Sequence, residues 1–498
     1  MIARLVAMLH RGVKPWIGAT RVRTVASARM VVDVEDLPLD DELGPEPGSG
    51  PGGARRRLRI AVTLLLVASL VVLAGLEGSG FIIRTDPELR PTPSASAAGR
   101  IVVVDADGAL SSMDADGRSL VRYPAPGVTF QFPAWSPDGT RFAAIGTGAG
   151  GAGIYIFAPP ADGSEVSAPT IVYQSPDHPA FYLYWAPDGM ALAFLTTEPD
   201  GIALRQAAAE AGAADTIVRH GSPMYWQWVD PTRVLVHGGG AAPDAFVGEV
   251  GLDGALKEPN AIQAGLFRAP GLAGSGSYLA YATLGEGGAA SVVVESRDGA
   301  THHEVPVFGS AALEFDPIGD TLAFVAPDKA GTRSLLPVGP LRAVDPASGA
   351  VRTLLGGSVI AFFWAPDGRT IAALRLNGPA DNNVASRADV VGSLARTGAL
   401  RTAAAGLLIR VAFVDVASGS IRAERVGRLS DVFANQVLPF FDQYALSHRF
   451  WSPDGTSIVL PLDDDQGVAQ LTMIPADGSD AHQLTAGTLG SWSPRPLP

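Results

Sequence analysis

The order of apolar and polar residues divides this chain into one long apolar stretch and many short apolar runs. The long stretch, Ile60 to Leu76, contains no charged residue. From about residue 100 to the end, the apolar runs are short, and Gly, Pro and Asp separate them. Short apolar runs bounded by turn residues are typical of β-strands. The pattern predicts an all-β domain over residues 100–498, preceded by one membrane-spanning helix.

The long apolar stretch and its flanks can cross a bilayer core of about 30 Å as a helix over residues 58–80. Arg55, Arg56, Arg57 and Arg59 precede it, so the arginine excess predicts a cytoplasmic N-terminus and an exported β-domain. We therefore expect a single-pass signal-anchor protein of the cell membrane. A cleaved signal peptide and a buried core helix are the alternatives, but the preceding 57 residues are too long for a signal peptide's basic region.

The segments on either side of this helix have the composition of chains that do not pack a core. Residues 1–57 combine Pro- and Gly-rich runs with acidic tracts, which predicts a mostly disordered cytoplasmic segment. Met30 opens the acidic stretch after a basic one, so translation can begin at Met1 or at Met30. Residues 81–99 are rich in Pro, Ser and Ala, which predicts a stalk between the membrane and the β-domain.

A pentapeptide recurs along the predicted β-domain, as Trp-Ser/Ala-Pro-Asp-Gly. Its four clear copies contain Trp135, Asp138, Gly139, Trp185, Asp188, Gly189, Trp364, Asp367, Gly368, Trp451, Asp454 and Gly455. Weaker copies begin at Trp228, near Leu272 and at Phe315, and a truncated copy begins at Trp492. The copies start 41 to 50 residues apart, except across one gap of 87. A period of about 45 residues is typical of the four-stranded blades of a β-propeller.

The residue types of the repeat predict a strand, a tight turn and a second strand. Proline presets φ for the turn, aspartate accepts a hydrogen bond from a backbone N–H two residues on, and glycine tolerates positive φ. The tryptophan before the turn can pack between blades. A second set of turns, such as Asp298-Gly299 and Asp477-Gly478, follows later in each period, so each repeat accommodates four strands.

The repeat resembles the Pro-Asp variant of the WD40-like repeat in TolB-type propellers and in the propellers of prolyl-oligopeptidase and dipeptidyl-peptidase enzymes. The resemblance covers residues from about 100 to 497 and implies that the motif's Trp and Asp residues are structural. Trp492 begins a blade that the chain does not finish, and residues 101–123 offer three strands without a motif. We expect these ends to form one shared blade, giving eight blades, or seven if the copy near Leu272 is spurious.

Composition and charge narrow the possible partners. The 47% hydrophobic content is enough for a large core, and the net charge of −13 would repel a phosphate backbone, so we expect no nucleic-acid partner. Cysteine is absent, which excludes disulfides, thiolate metal sites and an acylated cysteine anchor. We expect no cofactor and no metal.

The sequence offers little support for catalysis. The related peptidases carry an α/β-hydrolase domain with a Gly-x-Ser-x-Gly motif, and the Gly274-Ser-Gly276 stretch matches it only superficially. The eight histidines lack metal-binding spacing. Asp105-Ala-Asp107-Gly and Asp114-Ala-Asp116-Gly resemble fragments of a calcium loop, but Asp-Gly is also a favoured hairpin turn. We expect a protein that binds and does not catalyse.

Two insertions lie in the gap of 87 residues. Residues 377–405 are polar and rich in Ala and Gly, which predicts a surface loop that can contain one short helix. Residues 429–449 concentrate aromatic and polar side chains, and the candidate binding residues are Phe440, Phe441, Asp442, Tyr444 and His448. The alternative is that these rings pack against neighbouring blades, as large apolar rings usually do.

These observations favour a membrane-anchored extracytoplasmic module that binds or scaffolds a protein or peptide. A sensor that signals across the membrane is one alternative. A propeller enzyme of the lyase or lactonase type is another, and it would need polar groups converging in the central channel.

Overall fold

The computed structural model describes residues 24–25, 29–30, 99–160, 165–221, 224–239, 246–260, 268–284, 290–329, 337–377 and 407–494. The chain divides into two compact units, Met1–Thr85 and Asp86–Pro498. In the first unit, β1 (Thr24–Val25) pairs antiparallel with β2 (Arg29–Met30).

The predicted membrane helix, residues 58–80, lies outside the described residues, as do residues 81–98 of the stalk and 378–405 of the first insertion. Among the residues that are described, no helix has the length and apolar character needed to cross a bilayer.

Four sheets of the second unit are antiparallel and contain four strands each, in sequence order. The first sheet contains β6 (Thr129–Trp135), β7 (Phe142–Gly148), β8 (Gly151–Phe157) and β9 (Thr170–Ser175). The second contains β10 (Ala180–Trp185), β11 (Ala191–Glu198), β12 (Gly201–Ala208) and β13 (Thr216–Gly221). The third contains β14 (Met224–Asp230), β15 (Arg233–Gly238), β16 (Phe246–Gly251) and β17 (Leu256–Asn260). The fourth contains β18 (Gly271–Leu272), β19 (Tyr278–Leu284), β20 (Ala290–Ser296) and β21 (His302–Val307).

The next ten strands form one continuous ladder: β22 (Ala312–Phe315), β23 (Leu322–Val325), β24 (Gly339–Val344), β25 (Val351–Trp364), β26 (Thr370–Leu376), β27 (Leu407–Asp415), β28 (Ile421–Leu429), β29 (Ser457–Asp463), β30 (Ala469–Pro475) and β31 (His482–Ala486). The first half of β25 pairs mainly with β24, and its second half pairs with β26. A single residue pair, Leu429 with Leu462, joins β28 to β29.

The two ends of the β-domain share one sheet, as the sequence predicts. The C-terminal strand β32 (Leu489–Trp492) pairs antiparallel with β3 (Arg100–Val104). Two further strands, β4 (Leu110–Asp114) and β5 (Val121–Tyr123), complete the sheet. Because β32 is supplied from the far end of the chain, this sheet closes the unit. Successive four-stranded meanders closed in this way are the arrangement of a β-propeller.

The predicted turn chemistry is present in all four clear copies of the repeat. In each, the aspartate Oδ1 accepts a hydrogen bond from the backbone N–H two residues on, at 2.9 to 3.1 Å: Asp138 from Thr140, Asp188 from Met190, Asp367 from Arg369 and Asp454 from Thr456. The glycine that follows each aspartate has φ between 65° and 74°. Such values favour glycine, so the turn is specified by its local sequence.

Each motif tryptophan joins its copy of the repeat to another copy. Their indole Nε1 atoms donate to backbone carbonyls at 2.9 to 3.1 Å: Trp135 to Ser491, Trp185 to Ala134, Trp364 to Glu314 and Trp451 to Phe363. In every case the acceptor is the residue immediately before the corresponding aromatic residue of another copy. All four rings are buried, as side chains that pack between repeats are.

The first strands of the sheets surround the middle of the unit. Contacts join β6 to β10, β14 to β18, β18 to β22 and β32 to β6. Buried apolar side chains fill the space between neighbouring sheets, as where Val102, Phe130 and Phe142 meet in one cluster.

Candidate functional site

The insertion at residues 430–448, here called the plug, is the helical part of the described chain. It contains a π-helix (Phe433–Val437), a 3₁₀-helix (Leu438–Phe440) and helix α1 (Phe441–Ser447). Ser430 begins it, because its Oγ accepts the Phe433 N–H at 3.3 Å, as a helix-capping serine does. Pro439 then restarts the helix in its first turn, and His448 returns to extended backbone.

The plug lies among the first strands of the propeller. Helix α1 contacts β10, β14, β22 and β25, which belong to different repeats. Its contacts therefore replace solvent in the middle of the unit, where a propeller otherwise has an open channel.

Aromatic rings supply much of this packing. Tyr444 stacks on Phe132, with ring centroids 5.1 Å apart, and meets Tyr182 edge-on at 5.4 Å. Phe441 meets Phe362 edge-on, with ring centroids 5.6 Å apart. Offset and edge-on rings at these distances are favourable arrangements. The plug is thus held by rings from several different repeats.

A buried ion pair fixes the start of α1. Arg268 Nη1 lies 3.2 Å from Asp442 Oδ1, and both side chains are almost fully buried. Asp442 Oδ2 also accepts the backbone N–H of Ala269 at 2.9 Å. The same arginine donates to the Pro439 carbonyl at 2.9 Å and to Ser310 Oγ at 3.0 Å. Since a buried charge is costly unless it is paired and hydrogen-bonded, these contacts fix where the plug sits.

Gln443 binds the plug to the edge of β14 as a neighbouring strand would. Its Oε1 accepts the Trp226 N–H at 2.9 Å, and its Nε2 donates to the Trp226 carbonyl at 2.8 Å. Nε2 also donates to the hydroxyl of Tyr182 at 2.9 Å. The side-chain amide therefore satisfies both backbone groups of a first-strand residue.

His448 is held neutral at the end of the plug. Burial lowers the pKa of its imidazole to about 4, and its Nδ1 lies 2.7 Å from Ser447 Oγ. The neighbouring Phe132 has φ of 51°, a left-handed conformation that costs free energy for a residue other than glycine. This strained residue is covered by the Tyr444 ring, so the plug and the conformation of β6 support each other.

Another recurring position of the repeat immediately precedes the first residue of each motif copy. This position, here called the channel position, holds Ala134, Tyr184, Gln227, Gly271, Glu314, Phe363, Phe450 and Ser491. Tyr184, Gln227 and Glu314 are half-buried there, whereas the other five are buried. Burial, with a smaller contribution from the charge of Asp442, raises the pKa of Glu314 to about 8.

The five candidate binding residues are brought together in the plug, but they are not equally accessible. Phe440 is 36% exposed. Phe441, Asp442, Tyr444 and His448 are buried and make the contacts described above. In this arrangement the side chain of Phe440 can meet a partner's surface, and the other four hold the plug in place.

Two residues of this region, Arg268 and Glu314, were not predicted from the sequence. Both residues precede weak copies of the repeat, Arg268 the copy near Leu272 and Glu314 the copy at Phe315. Because these copies lack the full pentapeptide, the position of each residue within its repeat could not be recognised. The spacing of the copies could have indicated Glu314, because this residue immediately precedes Phe315, the aromatic residue of its copy.

The acidic Asp-Gly stretches make local hydrogen bonds within their turns. Asp105 Oδ1 accepts the backbone N–H groups of Asp107 and Ala109, and Asp116 Oδ1 accepts that of Arg118. These are hairpin-turn contacts. Within the described ranges, no group of three or more His, Asp or Glu side chains is arranged to hold a metal ion.

No protein-family model matches this chain, and no curated protein is significantly similar to it. Among solved structures, TolB from Acinetobacter baumannii is 14% identical, with a TM-score of 0.35 over 79% of this chain and 81% of that chain. The putative TolB from Agrobacterium tumefaciens is 19% identical, with a TM-score of 0.31 over 53% and 92%. The dihydro-heme d1 dehydrogenase NirN in complex with DHE is 13% identical, with a TM-score of 0.49 over 81% and 76%. Similarities of this size say nothing about the ligand or activity of this chain.

Proposed function

We propose that this protein is a membrane-anchored, extracytoplasmic β-propeller that binds a protein or peptide partner on the side where the plug exposes Phe440. The proposal rests on a difference in solvent exposure between neighbouring rings of the plug. Neighbouring rings such as Phe441 and Tyr444 are buried, while Phe440 is left exposed on a segment fixed by a buried ion pair. A rigidly held, exposed aromatic ring is typical of a binding hot spot.

A second exposed ring accompanies Phe440. Phe308, 49% exposed, lies two residues before Ser310, and Arg268 donates hydrogen bonds both to Ser310 and to the carbonyl of Pro439. The arginine therefore links the two segments that carry Phe308 and Phe440. Exposed aromatic rings on such linked segments favour a partner with an apolar side chain at the centre of its interface.

The propeller we propose has eight blades. Four sheets and the closing sheet supply five of them, and the ten-stranded ladder supplies three. The ladder is divided into three blades at two places. The first is within β25, whose two halves pair mainly with different strands, and the second is between β28 and β29, which share a single residue pair. The isolated bridge between Trp451 and Ile458 supplies the first-strand position of the last blade.

Membrane anchoring is supported by the sequence. The uncharged stretch from Ile60 to Leu76 is long enough for a spanning helix, and the preceding arginines favour an exported propeller. On this proposal the stalk holds the propeller outside the membrane, where the plug side can meet a partner.

In-cell crosslinking of the full-length membrane protein tests the proposal. We expect Phe440→Ala to lower the yield of the crosslinked partner by about tenfold or more, because loss of a hot-spot ring costs 2 kcal/mol or more, with little change in the melting temperature. Ile421→Ala is the matched control, since Ile421 is 42% exposed on β28, away from the plug. Equal capture by the wild type and Phe440→Ala would contradict the proposal.

A further inference from the structure

Two arginines lie directly opposite each other on neighbouring strands of the ten-stranded ladder. Arg375 on β26 is paired in register with Arg410 on β27, so both side chains project from the same face of the sheet. Like charges in directly opposite positions repel each other and lower stability. Departures of this kind from the usual rules of strand pairing are concentrated at functional sites.

One carboxylate lies between the two guanidinium groups. Glu424 on β28 accepts a hydrogen bond from Arg375 Nη1 at 3.3 Å through Oε1, and one from Arg410 Nη1 at 3.0 Å through Oε2. Arg410 Nη2 also donates to Asn377 Oδ1 at 3.3 Å, but that amide carries no charge. Among the described residues, two positive charges therefore share one carboxylate, and one positive charge is left uncompensated.

Solvent reaches both guanidinium groups. The side chain of Arg410 is 38% exposed and that of Arg375 is 20% exposed. A guanidinium carries five N–H groups, and the contacts above occupy one on Arg375 and two on Arg410. The unpartnered nitrogens of these two residues are not among the enclosed polar atoms of the described chain. A ligand can therefore approach N–H donors that this part of the chain leaves unused.

An exposed apolar side chain adjoins the pair. Val426 lies directly opposite Arg410 in the register of β27 and β28, and it is 52% exposed. Glu424 precedes Val426 by two residues, so both project from the face that carries the two arginines. This surface therefore combines uncompensated positive charge with an apolar contact.

We propose that Arg375 and Arg410 form a binding site for one carboxylate group, presented by an acidic side chain of a peptide partner. The carboxylate would accept N–H groups that Glu424 does not use, and guanidinium groups bind carboxylates in well-defined paired geometries. It would supply the negative charge that the pair lacks. An apolar residue near the acidic one would pack against Val426. Small-molecule sites are usually concave, whereas this site lies on an exposed sheet face, which favours a peptide as the source of the carboxylate.

The site goes beyond the proposed contact at Phe440. It is built from β26, β27 and β28, whereas Phe440 belongs to the plug, and its ring centroid lies 6.4 Å from that of Tyr225 on β14. Crosslinked capture of a partner through Phe440 and peptide binding at the arginine pair are separate measurements. Either can therefore fail without the other.

Fluorescence anisotropy of a labelled peptide with the full-length protein tests the inference. The probe is dansyl-Gly-Val-Glu-Val-Gly-amide, whose glutamate is its one charged group at pH 7. We expect saturable binding that weakens as the salt concentration rises, because exposed ion pairs are screened. The matched peptide with glutamine in place of glutamate should bind about tenfold or more weakly, since it lacks the charge-assisted hydrogen bonds. This comparison needs no variant of the protein.

Two variants locate the binding. Arg375→Gln and Arg410→Gln should each weaken binding of the glutamate peptide by about tenfold or more. The melting temperature of the free protein should be unchanged or slightly raised, because each substitution removes the repulsion within the pair. Arg118→Gln is the matched control, since Arg118 is also an exposed arginine beside one carboxylate, that of Asp116, but lies between β4 and β5. That variant should leave binding unchanged.

Competition with butyrate identifies the source of the carboxylate. Displacement of the probe by unlabelled peptide at much lower concentrations than by butyrate would support a peptide side chain, whereas equal displacement would overturn that assignment. Absence of binding, or equal binding of the glutamate and glutamine peptides, would overturn the site itself. Binding that both arginine variants retain in full would also overturn it.

Discussion

The Pro-Asp-Gly turns and the plug stabilise the same unit in different ways. Each turn satisfies itself within five residues, through an aspartate carboxylate, a nearby N–H group and a glycine with positive φ. The plug makes its polar contacts with residues far away in the sequence, such as Asp442 with Arg268 and Gln443 with Trp226. The turns occur in several copies, whereas the plug occurs once.

This difference predicts how each region tolerates change. Loss of one turn affects one hairpin, while the strands and the tryptophan bonds of other repeats remain. Loss of a plug contact leaves a buried charge or a cavity in the middle of several sheets. We therefore expect substitutions in the plug to cost more stability than substitutions in the turns, with Phe440 as the exception.

The largest effect is expected at the buried ion pair. Asp442→Ala should lower the free energy of unfolding by about 3–5 kcal/mol, because it leaves the Arg268 charge buried and unpaired. Denaturant unfolding of the full-length protein measures the change. Asp116→Ala is the matched control, since Asp116 also bonds a backbone N–H and pairs with an arginine, Arg118, but at the surface. That variant should lose about 1 kcal/mol or less, and equal losses at the two sites would contradict the comparison.

Substitution of two adjacent phenylalanines compares the effect of losing a buried ring with that of losing a partly exposed one. Phe441→Ala should cost about 3–5 kcal/mol, as removal of a fully buried ring does. Phe440→Ala should cost well under half of that, since part of the ring is exposed. Thermal melting of both variants measures the difference. A loss of stability at Phe440 as large as that at Phe441 would mean that the Phe440 ring also serves to pack the plug and is not free to bind a partner.

The plug should also respond to acid. Burial lowers the pKa of His448 from 6.5, the ordinary value for histidine, to about 4 in the folded protein, so the unfolded state takes up its proton first as the pH falls. Its contribution to stability is therefore complete above pH 6.5 and is lost between pH 6.5 and 4, by at most about 1.4 kcal/mol per pH unit.

Comparison with His448→Gln isolates this contribution from other titrating groups, including His237, whose pKa is also lowered by burial. The stability difference between wild type and variant should change across that pH window and stay constant above it. A difference that is constant from pH 8 to pH 4 would show that His448 does not titrate as its burial requires.

The smallest of these effects is expected in a turn. Gly455 has φ of 68°, and a Cβ there would meet its neighbours at ordinary contact distances of 3.7 Å or more. Gly455→Ala should therefore cost only the left-handed backbone strain, about 1–2 kcal/mol. Chemical denaturation checks the value, and a loss equal to that of Asp442→Ala would remove the distinction between the turns and the plug.

The repeat made much of the fold predictable from sequence. Trp, Pro, Asp and Gly each act within a few residues, so the turn, its strands and the role of Trp135 follow from local chemistry. Ring closure also followed, because Trp492 begins a sheet that residues 101–123 can complete, and β32 does pair with β3.

The plug could not be predicted in the same way. Its aromatic composition fits either a contact surface or a core, and the choice depends on contacts such as Tyr444 with Phe132 that lie hundreds of residues apart. Its helical form was not foreseen either, since the surrounding sequence has the periodicity of strands. Glu314 was missed for a related reason, because nothing in its local sequence shows that its strand packs against the plug.

The most direct test of the account is photo-crosslinking from within the plug of the full-length protein in cells. A photoreactive phenylalanine analogue would be placed in turn at position 440 and at position 444. The account predicts crosslinks to a second polypeptide from position 440, and crosslinks only within the chain from position 444. Partner crosslinks from position 444, or none from position 440, would contradict it.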